Sequence, residues 1–234
     1  MISKRRNVNV EFVELDYNTQ RYDDRLDYLL RVVKNSQNSL IVASEVYLSD
    51  FDYDNIEQAS SFSEFAIDKL KAAVENQIVI FTTIRKIDNV FVNQAIVINC
   101  HKIVHVQEKA KLFKLGDEDK YFIAGEMDKI KPFEINGLKI GILICFELRF
   151  KEFWKSLEGC DVVIVPAKWG IIRELHFKVL SNALAIMNQC FVVAHSSGDK
   201  DIVNSSTIYS PNGSLVKDID LKEITKMRRY IVME

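Results

Sequence analysis

The chain has 234 residues, 48% hydrophobic and 27% charged, with a formal net charge of −2. Those values suit a single compact domain, here residues 1–234, and leave no electrostatic footprint for nucleic acid or an anionic membrane. With 3 Pro and 8 Gly a collagen-like or linker-dominated chain is excluded, and Cys100, Cys145, Cys160 and Cys190 form no C-x-x-C pair of a zinc knuckle or redox dithiol.

The basic start, Met1-Ile2-Ser3-Lys4-Arg5-Arg6-Asn7, leads into an alternating segment instead of the apolar stretch of a signal peptide. No apolar run approaches the roughly 20 residues that cross a bilayer, so a reducing cytoplasm is the expected location. The alternation over residues 8–15 predicts a strand. Leu26, Leu29, Leu30 and Val33 recur at helical spacing and predict an amphipathic helix over 22–35. Residues 39–44 (SLIVAS) form a short apolar run that suits a strand buried on both faces. Phe62, Phe65, Ala66, Leu70 and Ala73 mark a second helix, and 77–84 another buried strand.

From 90 to 106 the pattern reads as a meander of three short strands, 90–92, 94–99 and 102–106. Residues 133–140 predict a hairpin turning at Asn136-Gly137, and its second strand, 138–144, ends at Cys145. A helix, a strand over 161–165, a helix from about 173 to 188 and a strand over 190–194 follow. A last hairpin turns at Pro211-Asn212-Gly213, and residues 230–233 pair at the end. Helices alternating with buried strands, with hairpins among them, favour an α/β sandwich with mixed sheets over a purely parallel doubly wound sheet. No internal repeat is visible.

Three buried strands end in residue types that do chemistry. The segment 39–44 runs into Glu45, the one near Val106 runs to Glu108-Lys109, and 141–144 runs into Cys145. In α/β sheets functional groups gather beyond the carboxyl ends of strands. A nucleophile needs a neighbouring base and a donor for developing negative charge, and Cys, Glu and Lys can fill these roles without a histidine, a metal or a cofactor. Taken singly, each residue has an ordinary structural role. Cys145 is a small core residue, Glu45 a first solvated residue after a strand, and Lys109 one lysine among Lys102, Lys111 and Lys114.

Their surroundings resemble the nitrilase superfamily, the carbon–nitrogen hydrolases, from about residue 8 to 217. Gly141-Ile142-Leu143-Ile144-Cys145-Phe146-Glu147-Leu148-Arg149-Phe150 is similar to the family's nucleophile strand and elbow, and Asp161-Val162-Val163-Ile164-Val165-Pro166-Ala167-Lys168-Trp169 to the strand after the next helix. Lys109-Ala110-Lys111-Leu112-Phe113 with the loop 116–125 resembles the lysine motif, and Val42-Ala43-Ser44-Glu45 the first strand-end glutamate. The resemblance implies a four-layer αββα sandwich, a Glu45–Lys109–Cys145 triad, and homodimers or larger homo-oligomers. It also implies a second glutamate near the site, Glu118, although the run 117–120 reads equally as a solvated charged turn.

The implied activity is hydrolysis of a non-peptide carbon–nitrogen bond in a small amide-type substrate, an ω-amide or N-carbamoyl acid, with a nitrile as a further option. Glu45 would take the Cys145 proton, while Lys109 and the backbone N–H of Phe146 would hold the oxyanion. A thioester would then be released by water. Lys168, Trp169, His195 and Ser196 would line the substrate pocket, with Lys168 or Arg173 receiving a substrate carboxylate. The chain departs from the family pattern at Lys111 (usually His), Glu147 (often Asp), Lys151 (often Pro), and Leu184 and Met187 (usually Arg and Glu). Two alternatives stay open at this stage: a binding protein of the same fold without turnover, and a cysteine hydrolase using His195 as base.

Overall fold

The structure, a computed structural model, describes residues 7–14 and 21–224. β1 (Asn7–Val8) and β2 (Val10–Val13) come first, then α1 (Tyr22–Asn35), β3 (Leu40–Ala43), α2 (Ile56–Ala73), β4 (Ile78–Ile87), β5 (Val90–Asn99) and β6 (Lys102–Glu108). The short helix α3 (Glu118–Tyr121) precedes the hairpin β7 (Phe133–Ile135) and β8 (Leu138–Ile142). Then follow α4 (Lys151–Ser156), β9 (Val162–Ala167), α5 (Glu174–Asn188), β10 (Phe191–Ser196), β11 (Ser205–Tyr209), β12 (Leu215–Val216) and β13 (Ile219–Asp220).

The strands build a five-stranded sheet, β2-β3-β4-β5-β6, and a six-stranded sheet, β12-β11-β10-β9-β8-β7. In the first, β2, β3 and β4 are parallel and β5 and β6 antiparallel. In the second, β8, β9 and β10 are parallel and β11 and β12 antiparallel. The same strand pattern therefore occurs twice, a repeat of topology that the sequence does not display.

Side-chain alternation creates the layers. Ile41, Ala43, Val79, Phe81, Ile96 and Ile98 point one way, against Leu29 and Val33 of α1 and Ile67 and Leu70 of α2. Their neighbours Leu40, Val42, Ile78, Ile80, Ala95 and Val97 point the other way and join a core with Ile140, Ile142, Val162 and Ile164. That core continues to Phe177 and Leu184 of α5. A strand with apolar residues on both faces requires a partner on both, and the result is the αββα sandwich. Asn136 and Gly137 both have positive φ, 54° and 84°, as a two-residue type I′ hairpin demands.

Two expectations change. The first strand divides at Asn9, because β1 pairs with β13 while β2 joins the five-stranded sheet. The break at residue 93 does not occur: β5 is one ten-residue strand, and its Asn93 and Gln94 are buried with side-chain partners Glu45 and Arg85. Residues 15 and 230–233, assigned to strands from the sequence, lie outside the described residues.

Candidate active site

Three chain segments deliver the site. Glu45 stands two residues beyond β3, with its backbone N–H donating to the Ala167 carbonyl at the end of β9 (3.3 Å). The next residue, Val46, takes φ +48°, unusual for a β-branched residue; its N–H donates to Thr82 Oγ1 at 2.7 Å. Lys109 follows β6, its N–H bonded to the Asn93 carbonyl (2.8 Å) and its own carbonyl to the Gly125 N–H (2.9 Å). Cys145 begins a 3-10 turn, Cys145–Arg149, and has φ +48°. A non-glycine residue in this region is strained, and such strain concentrates where a side chain must be presented.

The side chains meet in a buried cluster. The Lys109 ammonium donates to Glu45 Oε1 and to Glu118 Oε1, both at 2.7 Å. Asn93 Nδ2 also donates to Glu45 Oε1 (2.9 Å), and the Lys168 N–H reaches Glu45 Oε2 (3.3 Å). Glu118 Oε2 accepts the Phe113 N–H at 2.9 Å, so Glu118 is a buried partner of Lys109 instead of a solvated turn residue. The Cys145 thiol lies close enough to Glu45 to feel its charge.

Electrostatics follow from burial and pairing. Burial would depress Lys109, but the carboxylates of Glu45 and Glu118 outweigh it and hold the ammonium above its usual range. Burial raises Glu118 despite its bond to Lys109. Cys145 is pushed well up, first by burial and then by the Glu45 charge, so its resting form is a thiol. A thiol beside a carboxylate can surrender its proton to that carboxylate as it attacks. An ammonium has three N–H donors; two are used here, which leaves one for an incoming oxygen.

Cys145 opens onto a cavity of about 150 Å³ lined by Phe113, Cys145, Phe146, Arg149, Lys168, Trp169, Gly170, Arg173 and Ile202. Phe146, Lys168 and Trp169 thus stand in its wall together with the cysteine. The Lys168 ammonium is ion-paired to Asp50. Arg149 lies over the Trp169 ring (5.0 Å) and Arg173 over the Phe113 ring (5.7 Å). Neither guanidinium has an acidic ion-pair partner among the described residues.

His195 must be corrected. It is absent from the cavity wall and fully buried, with Nε2 on the Val13 carbonyl (2.9 Å) and Nδ1 on Ser206 Oγ (3.1 Å). Side chains alternate along a strand, and it is the next residue, Ser196, whose Oγ accepts the Trp169 N–H (3.0 Å). Both ring nitrogens of His195 are occupied elsewhere, which removes it as a base for Cys145. Asn93 and Arg149 carry no distinguishing signal in the sequence: Asn93 reads as a strand break, and Arg149 stands inside the nucleophile motif.

The family described as "Carbon-nitrogen hydrolase" matches residues 18–228. A 2-oxoglutaramate amidase of Bacillus subtilis is 30% identical over 223 residues, covering 86% of this chain and 85% of that protein. The omega-amidase YafV of Escherichia coli is 28% identical over 153 residues, 61% of this chain and 57% of that one. Among solved structures, a CN-hydrolase superfamily protein of Xanthomonas campestris superposes with a TM-score of 0.82 at 18% identity, covering 97% and 95% of the two chains. With a match of that extent and a relative related along most of its length, the protein belongs to the carbon–nitrogen hydrolase family and is an enzyme of that class.

Proposed function

We propose that the protein is an amidase that hydrolyses ω-amides bearing a carboxylate, through a Cys145 thioester. The reading is carried by one observation: the Lys109 ammonium, held by Glu45 and Glu118, lies close to the Cys145 thiol, and that thiol opens onto a cavity whose two arginines have no acidic ion-pair partner among the described residues. Relatives named for 2-oxoglutaramate and for ω-amides support the same substrate class. An N-carbamoyl amino acid, which also couples a carboxylate to a carbon–nitrogen bond, is the second candidate substrate.

Glu45 takes the Cys145 proton as sulfur bonds to the amide carbon. The carbonyl oxygen becomes an oxyanion and accepts the third Lys109 N–H and the Phe146 backbone N–H, at the start of a turn where such groups are not consumed internally. Glu45 passes its proton to nitrogen, the carbon–nitrogen bond breaks, and ammonia leaves a thioester. Water, deprotonated by Glu45, then attacks the thioester carbon; the acid departs and the thiol is restored. Lys109 and Asn93 both donate to Oε1, so Oε2, with only the longer Lys168 N–H contact of 3.3 Å, is the oxygen that moves protons.

The α5 surface supports pairing of two copies. Leu175, Val179 and Ile186 are exposed along it, and Ile172, beside Arg173 of the cavity, is 84% exposed. A homodimer or larger homo-oligomer through this face would cover them. Nothing in the mechanism calls on nucleic acid, membrane or metal. A free thiol nucleophile is suited to a reducing cytoplasm.

The test is ammonia release from succinate and glutarate monoamides, N-carbamoyl amino acids, uncharged amides and nitriles. Monoamides should be turned over best, and Cys145→Ala should be folded and inactive. Undiminished release by Cys145→Ala, or no release from any substrate by the folded wild type, removes the proposal.

A further inference from the structure

Glu147 is fully buried and bonded to backbone on both sides of the site. Its Oε1 accepts the Ala110 N–H at 2.6 Å, and its Oε2 accepts the Ile144 N–H at 2.7 Å. Ala110 is the residue after Lys109, and Ile144 the residue before Cys145. The lysine segment extends β6 of the five-stranded sheet, whereas the cysteine segment extends β8 of the six-stranded sheet. Gln107 Nε2 crosses the same gap to the Ile142 carbonyl (3.1 Å), but two residues before Lys109 and three before Cys145. Next to the reacting groups, the link is this carboxylate.

We infer that Glu147 is a positioning residue, whose carboxylate clamps the Lys109 segment to the Cys145 turn and so sets the ammonium and the sulfur at one working separation. This rests on the catalytic roles proposed for Lys109 and Cys145. The clamp needs an anion, because two N–H donors face two oxygens, and a protonated carboxyl would direct its own O–H at a donor. Loss of the proton is opposed by burial, which raises the carboxyl to about 7, against the bonds from Ile144 and Ala110, the Lys109 charge and the Lys111 N–H.

The surroundings supply no stronger countercharge. The elements packed on the turn are α4, α5 and β9. β9 has no charged residue. Lys151, Glu152 and Lys155 of α4 are exposed. α5 turns Phe177, Ser181, Leu184 and Ala185 inward, and its His176 is bonded to Arg149 of the turn. Glu45 and Glu118 are bonded to Lys109 itself. The clamp therefore closes as pH rises through neutrality, and it opens below.

The experiment is kcat and KM against pH, from roughly 6 to 8, on the best monoamide for wild type, Glu147→Gln and Glu147→Asp. Wild-type kcat should rise along an acid limb centred near 7. Glu147→Gln, of the same size but always presenting an amide N–H to one donor, should lose at least about 10-fold in kcat with KM changed less than about 3-fold, as misplacement of a reacting group does. Its acid limb should vanish, and Glu147→Asp should bring back a limb with part of the rate. An intact limb in Glu147→Gln, whatever its rate, overturns the clamp, as does a wild type without a limb if neither variant folds. A wild type inert on every amide instead sinks the amidase reading, and the clamp with it; turnover with a normal Glu147→Gln sinks the clamp alone.

Discussion

In the proposed reading Arg149 and Arg173 receive the carboxylate of the substrate. Burial and the neighbouring Arg173 both lower the Arg149 pKa, so the pair is held together against its own repulsion. Trp169 and Phe113 stack beneath the two guanidiniums, which holds these forks at the cavity wall. Lys168, named from the sequence for this task, is instead neutralised by Asp50. Since a hydrogen bond to a charged group contributes roughly 1.5–3 kcal/mol, Arg173→Met or Arg149→Met should raise KM for a carboxylate-bearing amide about 10- to 100-fold. Steady-state kinetics on a charged and an uncharged amide checks this; equal losses on both would mean a general defect. The positions of Glu45, Lys109 and Cys145 were legible because each follows a strand, a register that survives small errors in boundaries. The direction of a side chain at a strand end is not legible, since neighbouring residues face opposite ways, and the sequence reading puts both His195 and Ser196 at the pocket.

Elements built on apolar periodicity were read well, and elements built on small or polar residues were not. α1 was legible over its full span because Leu26, Leu29 and Val33 form its buried face. The first turns of α2 bury Ala59, Ser60 and Ser63, too small and polar to register as a stripe; Ser63 bonds Ala59 and Thr83 instead. β5 looked interrupted because buried amides in a strand resemble a loop unless their partners are known. In β8 the informative residue is the smallest: a Cβ on Gly141 would stand 2.8 Å from Leu157 Cδ2 and 3.0 Å from Cys160 Sγ. Gly141→Ala should destabilise the protein by about 1–3 kcal/mol through overpacking, and it should shift the strand that aims Cys145. A denaturant midpoint unchanged from wild type would show that the neighbours give way freely.

For the whole molecule, alternating helices and buried strands were enough to predict a sandwich, but the contacts between its sheets join residues far apart in the chain and leave no local signature. His195 is one such contact, tying β10 of one sheet to Val13 of β2 in the other. Burial lowers its pKa to about 4, against the Val13 carbonyl and the Glu14 charge, which favour the proton. The unfolded chain takes up that proton near 6.5 and the folded chain only near 4, so the unfolded state binds more protons between the two. This contribution to stability is complete above 6.5 and is lost as pH falls toward 4, up to roughly 3 kcal/mol. Glu147, raised by burial, has the opposite slope between its unfolded value and 7. Urea midpoints across this range should therefore fall less steeply in His195→Gln than in wild type; parallel curves would mean that the ring titrates normally.

The doubled strand pattern divides the proposed chemistry between halves. Glu45 and Lys109 follow strands of the first sheet, while Cys145 and the Lys168–Trp169 wall follow strands of the second. Neither half owns both base and nucleophile, so a chain severed before β7 would yield two chemically silent fragments. Ammonia would then appear only after they recombined, and turnover becomes a reporter of correct docking between the sheets.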